Sequence, residues 1–307
     1  MIPARAAALA LVLAVPAAAS AQQTQTLHVA TTPIDLGAEV LYAKDRGFFA
    51  KAGLDVQVEL MSSGAAIAAG VASGSLDVAQ ANIVSLASAH ERGLPFVIVA
   101  PAGLYVSGEP TTSLVVAKTS AVRSARDLEN KTIAINGLRN ITQIGADAWI
   151  AAHGGDIAKV RYVELPFPQM AAALATGRVD AAMIAEPELS DALAGGARAL
   201  AQPYTAIADR FLIGGWFATR PWARAHPEQL RRFAAAIVDA GRWANGHRSE
   251  SAQILEKYTK VRVSARMRRA VYADRLDAAQ VQPLVDAAAK YGSLRAAFPA
   301  AELLGPA

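Results

Sequence analysis

The chain has 307 residues, a formal net charge of +4 at pH 7, 18% charged and 53% hydrophobic residues, and no cysteine. This balance excludes a disordered chain, and the small positive excess gives no ground for nucleic-acid binding. Without cysteine there is no disulfide, thiolate nucleophile, zinc thiolate or lipidated N-terminal Cys.

The first 21 residues carry one charge, Arg5, then an apolar run from Ala6 to Val15, then Ala19-Ser20-Ala21. That is the pattern of a secretory signal peptide cleaved after Ala21; Pro16 interrupts the run, which is too short to span a membrane. Thr26 to Thr31 alternates as a first strand, closed by Thr32-Pro33, and Leu36 to Phe49 reads as a helix broken at Gly47. Leu54 to Leu60 is a second strand. Ser62-Ser63-Gly64 then opens an Ala-rich helix, with either serine placed to cap it.

Two stretches repeat one sentence: Ala72-Ser73-Gly74-Ser75-Leu76-Asp77-Val78-Ala79 and Ala175-Thr176-Gly177-Arg178-Val179-Asp180-Ala181-Ala182. In each, a helix stops at a Gly suited to the left-handed conformation, an Asp follows, and a buried strand begins. Each copy follows an extended segment, Leu54 to Leu60 or Val160 to Leu165. The order strand, helix, strand implies a right-handed crossover and parallel sheets. Built twice, the unit predicts an α/β chain of two lobes with a ligand cleft between them, beyond the carboxyl ends of the strands.

Between and after the repeats, Gln80-Ala81-Asn82 leads into a helix toward Arg92, and Phe96 to Ala100 is a strand. Tyr105 to Thr112, rich in Gly, Pro, Ser and Thr, is expected to be the first crossing between lobes. Ser124 to Asn130 reads as a short helix and Thr132 to Ile135 as a strand. The loop from Asn136 to Thr142 enters a helix ended by Gly154-Gly155. Glu186-Pro187 starts another helix, with Pro187 as its first residue. Leu212 to Thr219 is the expected return strand. Helices dominate from Pro221 onward, including Pro227 to Asn245 and Asp277 to Tyr291, the latter with an Asp277 and Gln280 capping box. The expected division is residues 22–112 for the first part of lobe 1, 113–217 for lobe 2, and 218–307 for the return to lobe 1.

The candidate ligand-binding residues lie on loops that follow strands: Thr32, Pro33, Ser62, Ser63, Gly64, Gln80 and Asn82 in the first lobe, and Gly137, Arg139, Asn140, Thr142 and Glu186 in the second. Free N–H groups at helix starts suit an anion or a polarised oxygen. The same Ser, Thr and Asn residues also serve as ordinary caps and turn formers. Glu186 would repel an anion unless paired, and Arg139 can pair with it or bind the ligand. Trp216 and Tyr105 can stack on a flat ligand or fill the core. The five histidines (His28, His90, His153, His226, His247) show no metal-ligand spacing, and no phosphate loop, dinucleotide motif or serine elbow occurs, so neither metal nor cofactor is expected.

The run Ala43-Lys44-Asp45-Arg46-Gly47-Phe48-Phe49-Ala50-Lys51-Ala52-Gly53-Leu54-Asp55-Val56 resembles a segment of the nitrate/sulfonate/taurine-type periplasmic substrate-binding proteins of ABC transporters. Gly74 to Ala79, Ser124 to Leu128 with Lys131 to Ala134, Gly177 to Ala182, and Glu186-Pro187 support it, and the likeness spans residues 26 to 300. It implies a two-lobed Venus flytrap fold of type II, each lobe a mostly parallel sheet flanked by helices. It also implies a periplasmic monomer that closes on a small molecule and delivers it to the permease subunits of an importer. A small anion is the first expectation. The alternatives are a neutral or zwitterionic heterocycle, such as a pyrimidine or flavin precursor, or a pyrimidine-synthase-like enzyme. Those enzymes depend on a Cys-rich motif absent here.

Overall fold

The computed structural model describes residues 26–62, 64–264 and 267–305. The expected signal peptide and Ser63 lie outside the described residues. The strands are β1 (Leu27–Thr31), β2 (Val56–Leu60), β3 (Val78–Asn82), β4 (Phe96–Pro101), β5 (Gly103–Val106), β6 (Thr112–Val116), β7 (Thr132–Ile135), β8 (Arg161–Glu164), β9 (Ala181–Ala185), β10 (Arg198–Ala201), β11 (Arg210–Leu212), β12 (Gly214–Thr219) and β13 (Val271–Tyr272). Two five-stranded sheets form, in the orders β2-β1-β3-β12-β4 and β10-β6-β9-β7-β8, joined by a three-stranded ribbon β11-β5-β13.

One buried cluster reaches both sheets, and a separate one, around Val115, Ala134, Ala182 and Ile184, lies on the second sheet. In the first sheet, β1 runs parallel to β2 on one side and β3 on the other; in the second, β7 does the same with β8 and β9. The repeated Gly and Asp make this happen. Gly74 and Gly177 end their helices at φ +81° and +69°, where a side chain is strained. Three residues later the Asp carboxylate accepts the N–H at the neighbouring strand: His28 N to Asp77 Oδ2 and Thr132 N to Asp180 Oδ2, both 2.8 Å. The Asp N–H returns a bond to the carbonyl of the same residue, at 2.8 Å for His28 and 2.9 Å for Thr132. Each Asp thus pins the start of the middle strand. The strands themselves, such as Thr-Ser-Leu-Val-Val in β6 and Ala-Ala-Met-Ile-Ala in β9, are buried throughout, because helices cover both faces.

Several elements differ from the sequence reading. The Leu36 to Phe49 helix is three pieces: a single turn Asp35–Gly37, then Glu39–Asp45, then Phe48–Lys51 after Gly47 at φ +75°. The Ser124 to Asn130 helix reduces to one turn, Arg126–Leu128, as the Asp127 carboxylate turns back to the N–H groups of Arg123 and Ser124 at 2.9 Å each. In the Asp277 box only half forms. Asp277 accepts from Ala279 N at 2.9 Å, while the Gln280 side-chain oxygen is buried without a hydrogen-bond partner. The crossing expected at Tyr105 to Thr112 begins as a strand, since β5 pairs with both β11 and β13.

Three of the five histidines form a common device. His153, His226 and His247 each lie four residues after a Trp at a helix end, stack on its ring, and place Nδ1 at 2.8, 3.0 and 2.8 Å from its carbonyl. Each ring nitrogen adds a contact to a carbonyl of the last turn, and the Trp149 and Trp222 carbonyls also accept the backbone N–H of the same histidine.

Replacing Asp77 or Asp180 by Ala leaves a strand N–H without its partner, and each change is expected to lower unfolding free energy by about 1–2 kcal/mol in denaturant titrations. A loss near zero at both positions contradicts the pinning role.

Candidate functional site at the junction of the two sheets

The chain leaves β1 into Thr32 and Pro33, both half-buried, and the Ile34 N–H closes a tight turn on the Thr32 carbonyl at 2.8 Å. Asp35 comes next, fully buried. Its carboxylate accepts from Arg269 Nε at 3.0 Å, a terminal guanidinium nitrogen at 2.7 Å, Ala270 N at 2.6 Å and Tyr42 Oη at 3.1 Å. Arg269 directs its remaining donors to Tyr42 Oη at 2.7 Å, the Arg248 carbonyl at 2.7 Å and Ser251 Oγ at 3.1 Å, so all its nitrogens are engaged. The Asp35 N–H then crosses to the second sheet and donates to the Glu186 carbonyl at 3.4 Å.

Glu186 comes directly after β9, and its own N–H donates to the Thr111 carbonyl at 2.8 Å. Its carboxyl turns back onto the adjoining helix, Glu188–Ala194, accepting from Ser190 N at 3.0 Å and Ser190 Oγ at 2.9 Å. Burial pushes this carboxyl up to about 7, against the bonds from Ser190 and from the Arg268 backbone N–H, with the Asp35 charge adding to the rise. The helix begins one residue later than expected. Pro187 occupies the cap position, and Glu186, not a residue of the helix, supplies the capping oxygen.

The remaining candidates divide by use. Asn82 caps the helix Ile83–Glu91 through Ser85 N at 2.9 Å. Asn140 caps Ile141–Ala152 through Thr142 N at 3.0 Å, and Asn136, Asn140 and Thr142 close a triangle of side-chain bonds at 2.7 to 2.9 Å. A Cβ on Gly137 would meet Asn140 Nδ2 at 2.8 Å, so this loop is packed tightly on itself. Gln80 is buried between Gly37 and Gly214, where added Cβ atoms would fall 3.1 and 2.5 Å from its amide. Ser62 and Gly64 are exposed at the start of Gly64–Ser73.

Arg139 does not pair with Glu186. It sits at φ +57°, its N–H donates to Gln143 Oε1 at 2.8 Å, and its guanidinium reaches the carbonyls of Gly292 and Ser293 at 2.9 and 3.0 Å. Those carbonyls lie just past the helix Ala278–Lys290, which packs on both Ile83–Glu91 and Ile141–Ala152. Trp216 and Tyr105 do not face a ligand either: both are buried, Trp216 against Phe233 and Tyr105 against Tyr204 and Phe211.

A cavity of about 400 Å³ opens beside Glu186, with Pro110, Ser113, Leu189, Ser190 and Arg268 among its walls. Among the candidates that lie in the described residues, only Glu186 lines it. Asp35, Ser190, Arg268 and Arg269 escaped the sequence reading, although the Arg266-Met267-Arg268-Arg269 run was a visible signal of concentrated charge. Among the described residues no cluster of three or more His, Asp or Glu side chains is placed to hold a metal ion, and no helix is long and apolar enough to cross a membrane.

A carboxyl raised from 4.5 to about 7 contributes stability that is complete below the lower value and is lost as pH rises through the upper one. Glu188, at about 7, and Asp147, at about 6, act in the same direction. The melting temperature is therefore expected to fall between about pH 5 and pH 8, and Glu186→Gln to gain on the wild type over that interval by about 1–3 kcal/mol. Parallel curves for the two proteins contradict the burial of this acid.

Solved structures share this architecture. The alkanesulfonate-binding protein SsuA from Xanthomonas axonopodis pv. citri, bound to MOPS, superposes with a TM-score of 0.76 at 19% identity, covering 92% of this chain and 98% of that one. The periplasmic nitrate-binding protein NrtA from Synechocystis PCC 6803 gives 0.77 at 16% identity, covering 92% and 85%. The desulfurization enzyme DSZB gives 0.64 at 17%, covering 92% and 96%. No curated protein sequence matches. The fold is that of the periplasmic binding proteins, as the sequence resemblance implies. The family model described as NMT1/THI5 like matches residues 37–251, and the chain belongs to that family.

Proposed function

We propose that the chain is a solute-binding receptor that holds a small anion at the junction of its two lobes and hands it to the membrane subunits of an ABC importer. The observation that carries this reading is the meeting of the loops after β1 and β9, through Asp35 N–H and the Glu186 carbonyl. These loops leave the carboxyl ends of strands in two sheets of matching core order, where open α/β sheets bind ligands. A solute touching both sides favours the closed form over the open one.

The anion is favoured by charge. Arg268 lines the cavity beside Glu186 and donates to the Gly108 carbonyl at 2.6 Å, and Arg139 ties the loop after β7 to the Gly292 carbonyl at 2.9 Å. Among the described residues neither has a carboxylate within ion-pair distance. The heterocycle reading loses its stacking partners, since Trp216 and Tyr105 are buried. A receptor is favoured over a catalyst by fold-level analogy with the sulfonate- and nitrate-binding proteins. The proposed route is export through the leader, cleaved after Ala21, into the periplasm, with the receptor acting as a monomer. The proposed crossings lie at β5 and β11; the pairing of β12 with β3 and β4 supports counting residues 214–217 with lobe 1 rather than with the expected 113–217 lobe.

A thermal-shift screen of residues 22–307 against nitrate, sulfonates, taurine, aromatic carboxylates, pyrimidines and flavins tests this. An anion at about 100 times its Kd is expected to add about 2.7 kcal/mol. Hits confined to neutral heterocycles contradict the anion. Arg139→Ala, which releases the bonds to Gly292 and Ser293, is expected to weaken the anion about tenfold, and unchanged affinity removes Arg139 from the site.

A further inference from the structure

Arg139 is held more firmly than its place on an exposed loop requires. Its backbone lies at φ +57°, a conformation costly for a side chain that persists only where the surroundings fix it. Two sets of bonds do so here. Gln143 Oε1 accepts the Arg139 N–H at 2.8 Å, and one terminal guanidinium nitrogen donates both its hydrogens, to the carbonyls of Gly292 and Ser293 at 2.9 and 3.0 Å. Those carbonyls lie just past the C-terminus of Ala278–Lys290, where a cation also meets the negative end of the helix dipole.

The guanidinium bonds cross from one side of the molecule to the other. Arg139 belongs to the second sheet's side, between β7 and the helix Ile141–Ala152. Gly292 and Ser293 belong to the first sheet's side, because the chain is tied there before and after them. Before them, Ala278–Lys290 packs on Ile83–Glu91, along the seam it shares with Ile141–Ala152. After them, the Arg295 N–H donates to Glu91 Oε1 at 2.6 Å, Leu304 forms a parallel bridge with Ile98 of β4, and the Gly305 N–H reaches the Ile98 carbonyl at 2.8 Å. The crossing from the Asp35 N–H to the Glu186 carbonyl is longer, at 3.4 Å, so the Arg139 bonds are the better formed. Arg139 is exposed, and water can take the place of each carbonyl at small net cost, which suits a contact that opens and closes.

We propose that Arg139 is a clasp between the two lobes: in the protein free of solute, its guanidinium holds the second lobe to the end of Ala278–Lys290 and biases the pair toward the closed form. The proposal rests on the two-lobed receptor reading and gives Arg139 a task that needs no solute. Such a clasp raises the share of molecules ready to bind, so it strengthens the binding of any solute that needs the closed form.

The distance between two spin labels tests it, measured by double electron–electron resonance on residues 22–307 unfolded and refolded free of solute. The chain has no cysteine of its own, so labels attach only at Glu59→Cys and Glu164→Cys, two exposed positions at the carboxyl ends of the edge strands β2 and β8, one in each sheet. Each variant is first shown to melt cooperatively. Arg139→Ala and Arg139→Gln are each expected to lengthen the mean distance by more than about 2 Å, and Leu138→Ser, at the exposed neighbouring residue, to leave it unchanged. One distance distribution shared by the labelled parent and both Arg139 variants overturns the clasp, and so does a shift of the same size in Leu138→Ser. No solute enters the measurement, so a lengthened distance beside a silent ligand screen removes the receptor reading and leaves the clasp standing, while an unchanged distance beside a ligand hit does the reverse.

Discussion

The junction depends on one buried ion pair. Asp35 and Arg269 lie 234 residues apart, are nearly inaccessible to solvent, and are joined by two hydrogen bonds. Removing two charges from water costs several kcal/mol each, and the pair is tolerable only because every remaining donor finds an acceptor. Arg269 donates onward to Tyr42 Oη, Ser251 Oγ and the Arg248 carbonyl, while the Tyr42 and Tyr272 hydroxyls and the Ala270 N–H donate to the Asp35 carboxylate. The consequence is positional: the segment bearing Arg268 is fixed, β13 joins the ribbon, and the Asp35 backbone is aimed at Glu186. A second acid, Glu39, is buried in the same core beside Trp216, and burial pushes its carboxyl well above the usual range.

A single supersecondary unit, used twice, accounts for the rest of the architecture. Gly74 with Asp77 and Gly177 with Asp180 end a helix, lock a strand start and set the parallel register of their neighbours. Matching core order places the loops after β1 and β9 where they can meet. The two lobes differ in how each of these loops is held. In the first, the Asp35 turn is clamped by a remote arginine; in the second, Glu186 folds back on its own helix through Ser190. One side of the junction is thus fixed from afar and the other locally.

The part of this fold legible in the sequence was local. The glycine stops, the repeated Asp, and the strands before and after them arise from conformational preference and periodicity within a dozen residues. The candidate loops were found, but the commonplace use prevailed at Asn82, Asn140 and Thr142, whose side chains are spent on caps and on each other. The partners of Asp35 and Arg139 were not legible, because contacts across more than 150 residues leave no periodic trace. Trp216 follows the commonplace use as well: of stacking on a ligand and filling the core, the strand gives it the second, turned onto Phe233. The three Trp and His pairs at helix ends show the converse. Their four-residue spacing is present in the sequence, and only the search for metal ligands makes the histidines look scattered.

The claim that the buried pair holds the junction together is tested most directly by a double-mutant cycle of Asp35→Asn and Arg269→Met, read as unfolding free energy. Each single change leaves a buried group without its partner and is expected to cost about 3–5 kcal/mol, whereas the double change is expected to recover at least about 2 kcal/mol of their sum. Additive losses would show that the two residues act independently and would contradict the account.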